Sequence, residues 1–223
     1  MRTHLKTWLL ITMTLLTTVG LNAQEPYSFH KSGLKLTYAD KNEKGKISGY
    51  SEINVTEVEG EPTNCTVTYK TMSLDNKRKP MMENAIDAKV TINNSTVTFA
   101  PSSLVGQPLQ GMQISGDNLI IPADAAVGDV LDDCTLSINM AGIKSTISNS
   151  NLKVIGKETL DISGKSIDCL VVESTVSSKV IGITQQMKQK AWYGRGVGSV
   201  KTETYNKKGK LTSVHELIEV EGL

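Results

Sequence analysis

Outside the first 23 residues the chain has two histidines, His30 and His215, as candidates for acid–base or metal chemistry. A catalytic or metal role needs several groups that converge, and neither histidine has a His, Cys or acidic neighbour at ligand spacing. His215 alternates with Ser213 and Leu217 in a strand-like run and reads as a sheet-surface residue. No G-x-S-x-G nucleophile turn occurs. Asp124, Asp129, Asp132 and Asp133 are the densest acidic group, but they lack the D-x-D-x-D-G spacing of a calcium loop and read as solvated turn residues. Gly194, Gly196 and Gly198 resemble a phosphate loop only superficially. Such a loop needs a helix after it, and Val200 to Tyr205 alternates as a strand. These glycines are expected to bend the sheet, with Trp192 and Tyr193 as packing anchors beside the bend. No catalytic residue, metal ligand or cofactor follows from these motifs.

Three cysteines, Cys65, Cys134 and Cys169, lie beyond the N-terminal region, and no CxxC pair occurs. In an oxidising compartment an odd count allows one internal bridge and one spare thiol. Cys134 and Cys169 each sit on the apolar face of an alternating segment. They are expected to pair, leaving Cys65 as a buried free thiol.

The elements that would position these residues are strands. Thr63 to Leu74, Val130 to Ala141 and Ser166 to Val176 each place apolar residues on one face and Thr, Ser or charged residues on the other. Asn93-Asn94-Ser95, Ser163-Gly164-Lys165 and Asn206 to Lys210 read as hairpin turns. No segment of normal helix length carries an apolar stripe at 3.6 spacing. Pro101 to Gly116 is loop-rich, and Ile143 to Ile147, Leu152 to Glu158 and Glu158 to Ile162 read as three short strands. The expected fold is all-β with little helix: a single strongly curved, mostly antiparallel sheet of about a dozen strands, which must curl or close to hide its edges. It forms either one body or two lobes meeting near 101–122.

Arg2 and Lys6 precede an apolar run from Trp8 to Leu21, and Ala23 offers a small residue for cleavage. Residues 1–23 therefore read as a secretory signal peptide, with residues 24–223 forming one exported β domain and no membrane span after cleavage. Asn54, Asn64 and Asn94 head N-x-[ST] sequons, which would matter only in a eukaryotic secretory pathway. The chain has 24 Lys and Arg against 23 Asp and Glu. Removing Arg2 and Lys6 leaves 22 against 23, which argues against nucleic acid as a partner. Aromatic residues make up 4%, so the core must rest on Val, Ile, Leu and Met.

The segments IPADAAVGDVLDD (Ile121 to Asp133), VIGKETL, GKSIDCLVV, KAWYGRGVGSVKTETYN and GKLTSVHEL resemble a TapB-like bacterial envelope family of unknown function, common in the Bacteroidetes. The resemblance covers Pro122 to Leu217. It implies a strongly curved antiparallel sheet, a half-barrel or open barrel like that of periplasmic lipoprotein carriers, in the periplasm or envelope of a Gram-negative bacterium. It implies no catalytic residues. The expected role is a binding module holding a lipid or other apolar ligand on a concave sheet. The alternative is a structural or assembly protein acting through contacts with envelope proteins.

Overall fold

The computed structural model describes residues 24–105 and 112–223. The expected signal peptide lies outside the described residues. Thirteen strands form one sheet. They are β1 (Lys35–Asn42), β2 (Ile47–Glu61), β3 (Asn64–Asp75), β4 (Ile86–Asn93), β5 (Thr96–Phe99), β6 (Met112–Gly116) and β7 (Leu119–Ile121), followed by β8 (Cys134–Met140), β9 (Ile143–Ile162), β10 (Lys165–Val180), β11 (Ile183–Gly194), β12 (Gly198–Tyr205) and β13 (Leu211–Glu221). One short helix, α1 (Pro101–Val105), follows β5. All named strand pairs are antiparallel. The order is β6-β8-β9-β10-β11-β12-β13-β1-β2-β3-β4-β5-β7, so the first and last strands pair at the middle of the sheet.

Connectivity shows that this sheet is rolled. β6 and β7 form its two opposite edges, yet only Asp117 and Asn118 separate them in sequence. A trans peptide spans 3.8 Å between Cα atoms, so Gly116 and Leu119 lie within about 11 Å of each other. The two edges meet at this linker without pairing, which gives an open half-barrel. A second curl joins the β9–β10 hairpin to β13, where Ser163 Oγ donates to the carbonyl of Ile218 at 2.9 Å.

Strand alternation sets the two faces. Tyr38, Val55 and Tyr69 are buried on the inner face, while Glu52, Asn54, Thr68 and Lys70 alternate with them outward. Three short strands expected between Ile143 and Ile162 are one strand, β9, whose register slips twice against β10. Asn151, at a φ of 55°, sits inside one slip. Extra residues of this kind twist and bend a strand, which lets β9 follow the roll.

The cysteine expectation is corrected. Cys65, Cys134 and Cys169 are all buried and free. β9 runs between the strands that carry Cys134 and Cys169. Their partners on it are Asn149 and Glu158 respectively, far apart along the strand. A disulfide requires Cα atoms within about 7 Å, and this register does not make the two cysteines neighbours.

Candidate functional site: an open end with an apolar wall

One end of the roll is closed by the chain itself. The β11–β12 loop, Arg195 to Val197, docks the segment Gln24 to Phe29. Gly196 N donates to Pro26 O at 3.0 Å, and Phe29 bridges to Gly196. The Phe29 ring meets Tyr69 edge-on at 4.9 Å. Arg195 fastens the closure. Its guanidinium donates to Gln24 Oε1 at 2.9 Å, Tyr27 Oη at 3.1 Å and Ala123 O at 3.0 Å, and to the carbonyl of Glu25.

Gly196 and Gly198 adopt φ values of 73° and 81°, in the left-handed region. A Cβ on Gly196 would meet the Glu25 carboxylate at 2.8 Å. Gly194 has ordinary φ but no room, since its Cβ would lie 2.5 to 2.8 Å from methyls of Val200, Ile167 and Val197. The glycines therefore make a tight hairpin loop against which the N-terminal segment packs. Trp192 is 3% exposed. It donates from Nε1 to Glu158 Oε2 at 2.8 Å and lies between the ammonium groups of Lys190 and Lys201, 4.4 and 4.8 Å from its ring centre. Tyr193 packs half-buried against the core, and burial pushes its hydroxyl up to about 12.

The opposite end is open. Along the inner face of β10, exposure rises from Leu170 (0%) and Val172 (2%) to Val180 (40%). Val176 and Met187 are cross-strand partners and half-buried, and Val180 pairs with Ile183, 67% exposed. The same wall continues across β9, β8 and β6. Ile138 stands opposite Ile114, and Met140 opposite Met112 and Ile143. Ser178, Gln185, Ser145 and Asn149 interrupt the apolar residues on this face, and at this end the other face of these strands is wholly polar. β12 stops at Tyr205, opposite Lys188, so Ile183 to Met187 has no strand partner on that side among the described residues. A cleft of about 540 Å³ opens there, lined by Met187, Gln185 and Lys207 among others.

Beyond β11 the inner face turns polar on β12, β13 and β1, where Thr202, His215 and Asp40 stand in register. His215 Nδ1 hydrogen-bonds Asp40 Oδ1 at 2.8 Å, and its ring stacks on Tyr38 at 4.7 Å. Tyr38 is buried and donates to Ser199 O at 2.9 Å; burial raises its pKa. Nothing near His215 in sequence announces Asp40, since β1–β13 pairing brings the two together over 175 residues. Among the described residues no hydroxyl or thiol hydrogen-bonds to either side chain of the pair; Ser48 Oγ donates to the Asp40 carbonyl at 3.1 Å. His30 lies elsewhere, with Nδ1 3.3 Å from Ser28 O and Nε2 3.6 Å from Glu25.

The expected turn carboxylates serve the backbone. Asp129 accepts from Ala126 N and Asp133 from Asn151 N, each at 2.8 Å. Among the described residues, no three His, Cys, Asp or Glu side chains are grouped to hold a metal, and no helix is long and apolar enough to cross a membrane.

An all-β open roll, plugged at one end and open at the other, defines the class. The chain belongs to the DUF3108-like family, which it matches over residues 31–217. The family matched is described as DUF3108-like and not as TapB-like, and the match reaches well N-terminal of the Pro122 to Leu217 stretch that carried that resemblance. The chain is similar to a Bacteroides fragilis protein of known structure, described as exported and as having a YmcC-like fold. The TM-score is 0.73 and the identity 18%, covering 88% of this chain and 99% of that one. It is also similar to a Parabacteroides distasonis protein described as a lipoprotein, with a TM-score of 0.75 and 18% identity over 89% and 99% of the two chains. At this identity the likeness establishes the fold. None of the curated proteins matches the chain.

Proposed function

We propose that the chain is an exported binding protein of the Gram-negative envelope that holds a lipid-like, apolar ligand in the open end of the roll. The observation that carries this reading is the exposure gradient on β10, where the face that forms the core lower down continues upward through Val176 and Val180, alternating with Ser174 and Ser178, without cover. A large apolar surface lining a concavity is the usual form of a small-molecule site. Lower in the roll the concavity is filled by Tyr27, Phe29, Leu36 and Tyr38, so the ligand occupies only the upper half. The His215–Asp40 pair, on the same inner face three strands from β10, supplies polar partners for a headgroup. Export is supported by the N-terminal pattern and by the descriptions of the two similar structures.

A second reading, contact with another envelope protein, draws on the unpaired backbone of Ile183 to Met187, to which a partner strand could add. Extraction of the protein purified from its native host, followed by mass spectrometry, separates the two. The ligand reading expects a stoichiometric lipid. A protein free of lipid that co-purifies with one envelope polypeptide favours the second.

A further inference from the structure

The open end carries a second feature at its rim, where the inner wall runs out into two hairpin tips. The hairpin joining β10 and β11 ends in Val180, Ile181 and Ile183, 40%, 74% and 67% exposed, and the neighbouring β8–β9 hairpin ends in Met140 and Ile143, 44% and 50% exposed. Register places the two tips side by side, since Ser145 pairs with both Val180 and Ile138. Five large apolar side chains thus project together at the rim of the roll.

The charges around them have one sign. No Asp or Glu occurs between Cys134 and Lys157, or between Ser174 and Thr202. Both tips lie within these stretches. Lys144 and Lys179 are exposed, flank the apolar tips on the outer face and form no ion pair among the described residues. Lys207 and Lys208, exposed in the turn beside β11, border the same rim. The ion pairs that border the patch are Glu173 with Lys188, 4.0 Å apart and lower on the wall, and Glu43 with Lys210, 3.1 Å apart in the turn after β12. In a chain of nearly balanced charge this is a local basic patch with an apolar crest.

We propose that these two hairpin tips dock the protein onto an anionic lipid surface. Ile181 and Ile143 enter the headgroup–acyl boundary while Lys144 and Lys179 face anionic headgroups. Apolar burial and attraction of lysines to a negative surface are the two terms that drive interfacial binding. Docking in this orientation turns the open mouth of the roll toward the membrane.

The test is flotation of the chain beginning at Gln24, which contains every described strand, with vesicles of phosphatidylcholine alone or with added phosphatidylglycerol. The expected result is binding to the anionic vesicles that weakens as salt is raised. Ile181→Glu is expected to lower the partition at least about tenfold. Lys144→Glu and Lys179→Glu are expected to cost roughly fivefold or more each. All three positions are exposed, so unfolding midpoints should match the wild type, which keeps a binding loss interpretable. Absence of binding to either vesicle, equal binding to both, or variants that bind like the wild type overturns the proposal. A dimer in sedimentation equilibrium that Ile181→Glu dissolves, with no vesicle binding, assigns the tips to a second copy instead. Because these substitutions leave the inner wall intact, failure here is distinguishable from failure of ligand binding.

Discussion

The Arg195 guanidinium lies 4.2 Å from the centre of the Tyr27 ring, joining residues that stand 168 positions apart. This contact makes the first residues after the N-terminal apolar region a structural plug. Arg195→Ala removes the stacking and leaves the acceptors of Gln24, Tyr27 and Ala123 without their donor. The expected loss is about 2–4 kcal/mol in urea unfolding. Arg195→Lys should recover less than half of it, because an ammonium cannot reproduce the planar fork.

Gly194 and Gly156 make a matched pair. A Cβ at Gly194 meets three methyl groups closer than 3.0 Å, whereas a Cβ at Gly156 meets nothing within 4 Å. Gly194→Ala is expected to cost about 1–3 kcal/mol through overpacking, and Gly156→Ala to be neutral or slightly stabilising. Equal effects in thermal unfolding would show that the packing around β11 is looser than described.

The three thiols should be silent in the folded protein. Burial, with the charges of Asp168 and Glu158, pushes the Cys169 thiol up to about 12; burial likewise raises Cys65 and Cys134. Little thiolate is present at pH 8, and it is the thiolate that reacts. Ellman titration is expected to find no reactive thiol in the native protein and three after denaturation without reductant. One thiol after denaturation would restore the Cys134–Cys169 bridge.

Burial would raise the pKa of Glu203, but hydrogen bonds from Lys201 and Tyr205 and the charges of Lys201 and Lys190 outweigh it and hold the carboxyl below its ordinary value of 4.5. A depressed folded pKa contributes stability above the unfolded value, lost as pH falls through the folded one. Glu203→Gln should therefore be less stable than wild type near neutral pH, with the gap closing below about pH 4. A gap that is constant down to about pH 2 would assign the effect to packing.

Much of the sheet was legible because inner and outer residues alternate along most strands, as in Cys65, Val67 and Tyr69 against Thr66, Thr68 and Lys70. The length of β9 was not, because its two slips shift the alternation and make it read as separate short strands. β6 was hidden in a loop-rich stretch with little periodicity. Asp40 and His215, and Arg195 with Tyr27, depend on pairing of distant strands, which local pattern does not encode. The glycine-rich loop was recognised as a bend, but its role in gripping the N-terminal segment needed the roll to bring that segment to it. Cys134 and Cys169 each lie on an apolar face as expected. Sharing that property does not place two residues side by side.

The central claim is that the inner wall of the open end binds an apolar chain. It is tested most directly by titrating the protein with a fluorescent fatty acid and comparing the wild type with Val176→Asp, which places a charge in the middle of that wall. The account predicts saturable, one-to-one enhancement of the probe by the wild type and a loss of about tenfold or more in affinity for the variant. No saturable binding by the wild type, or equal binding by the two proteins, would contradict it.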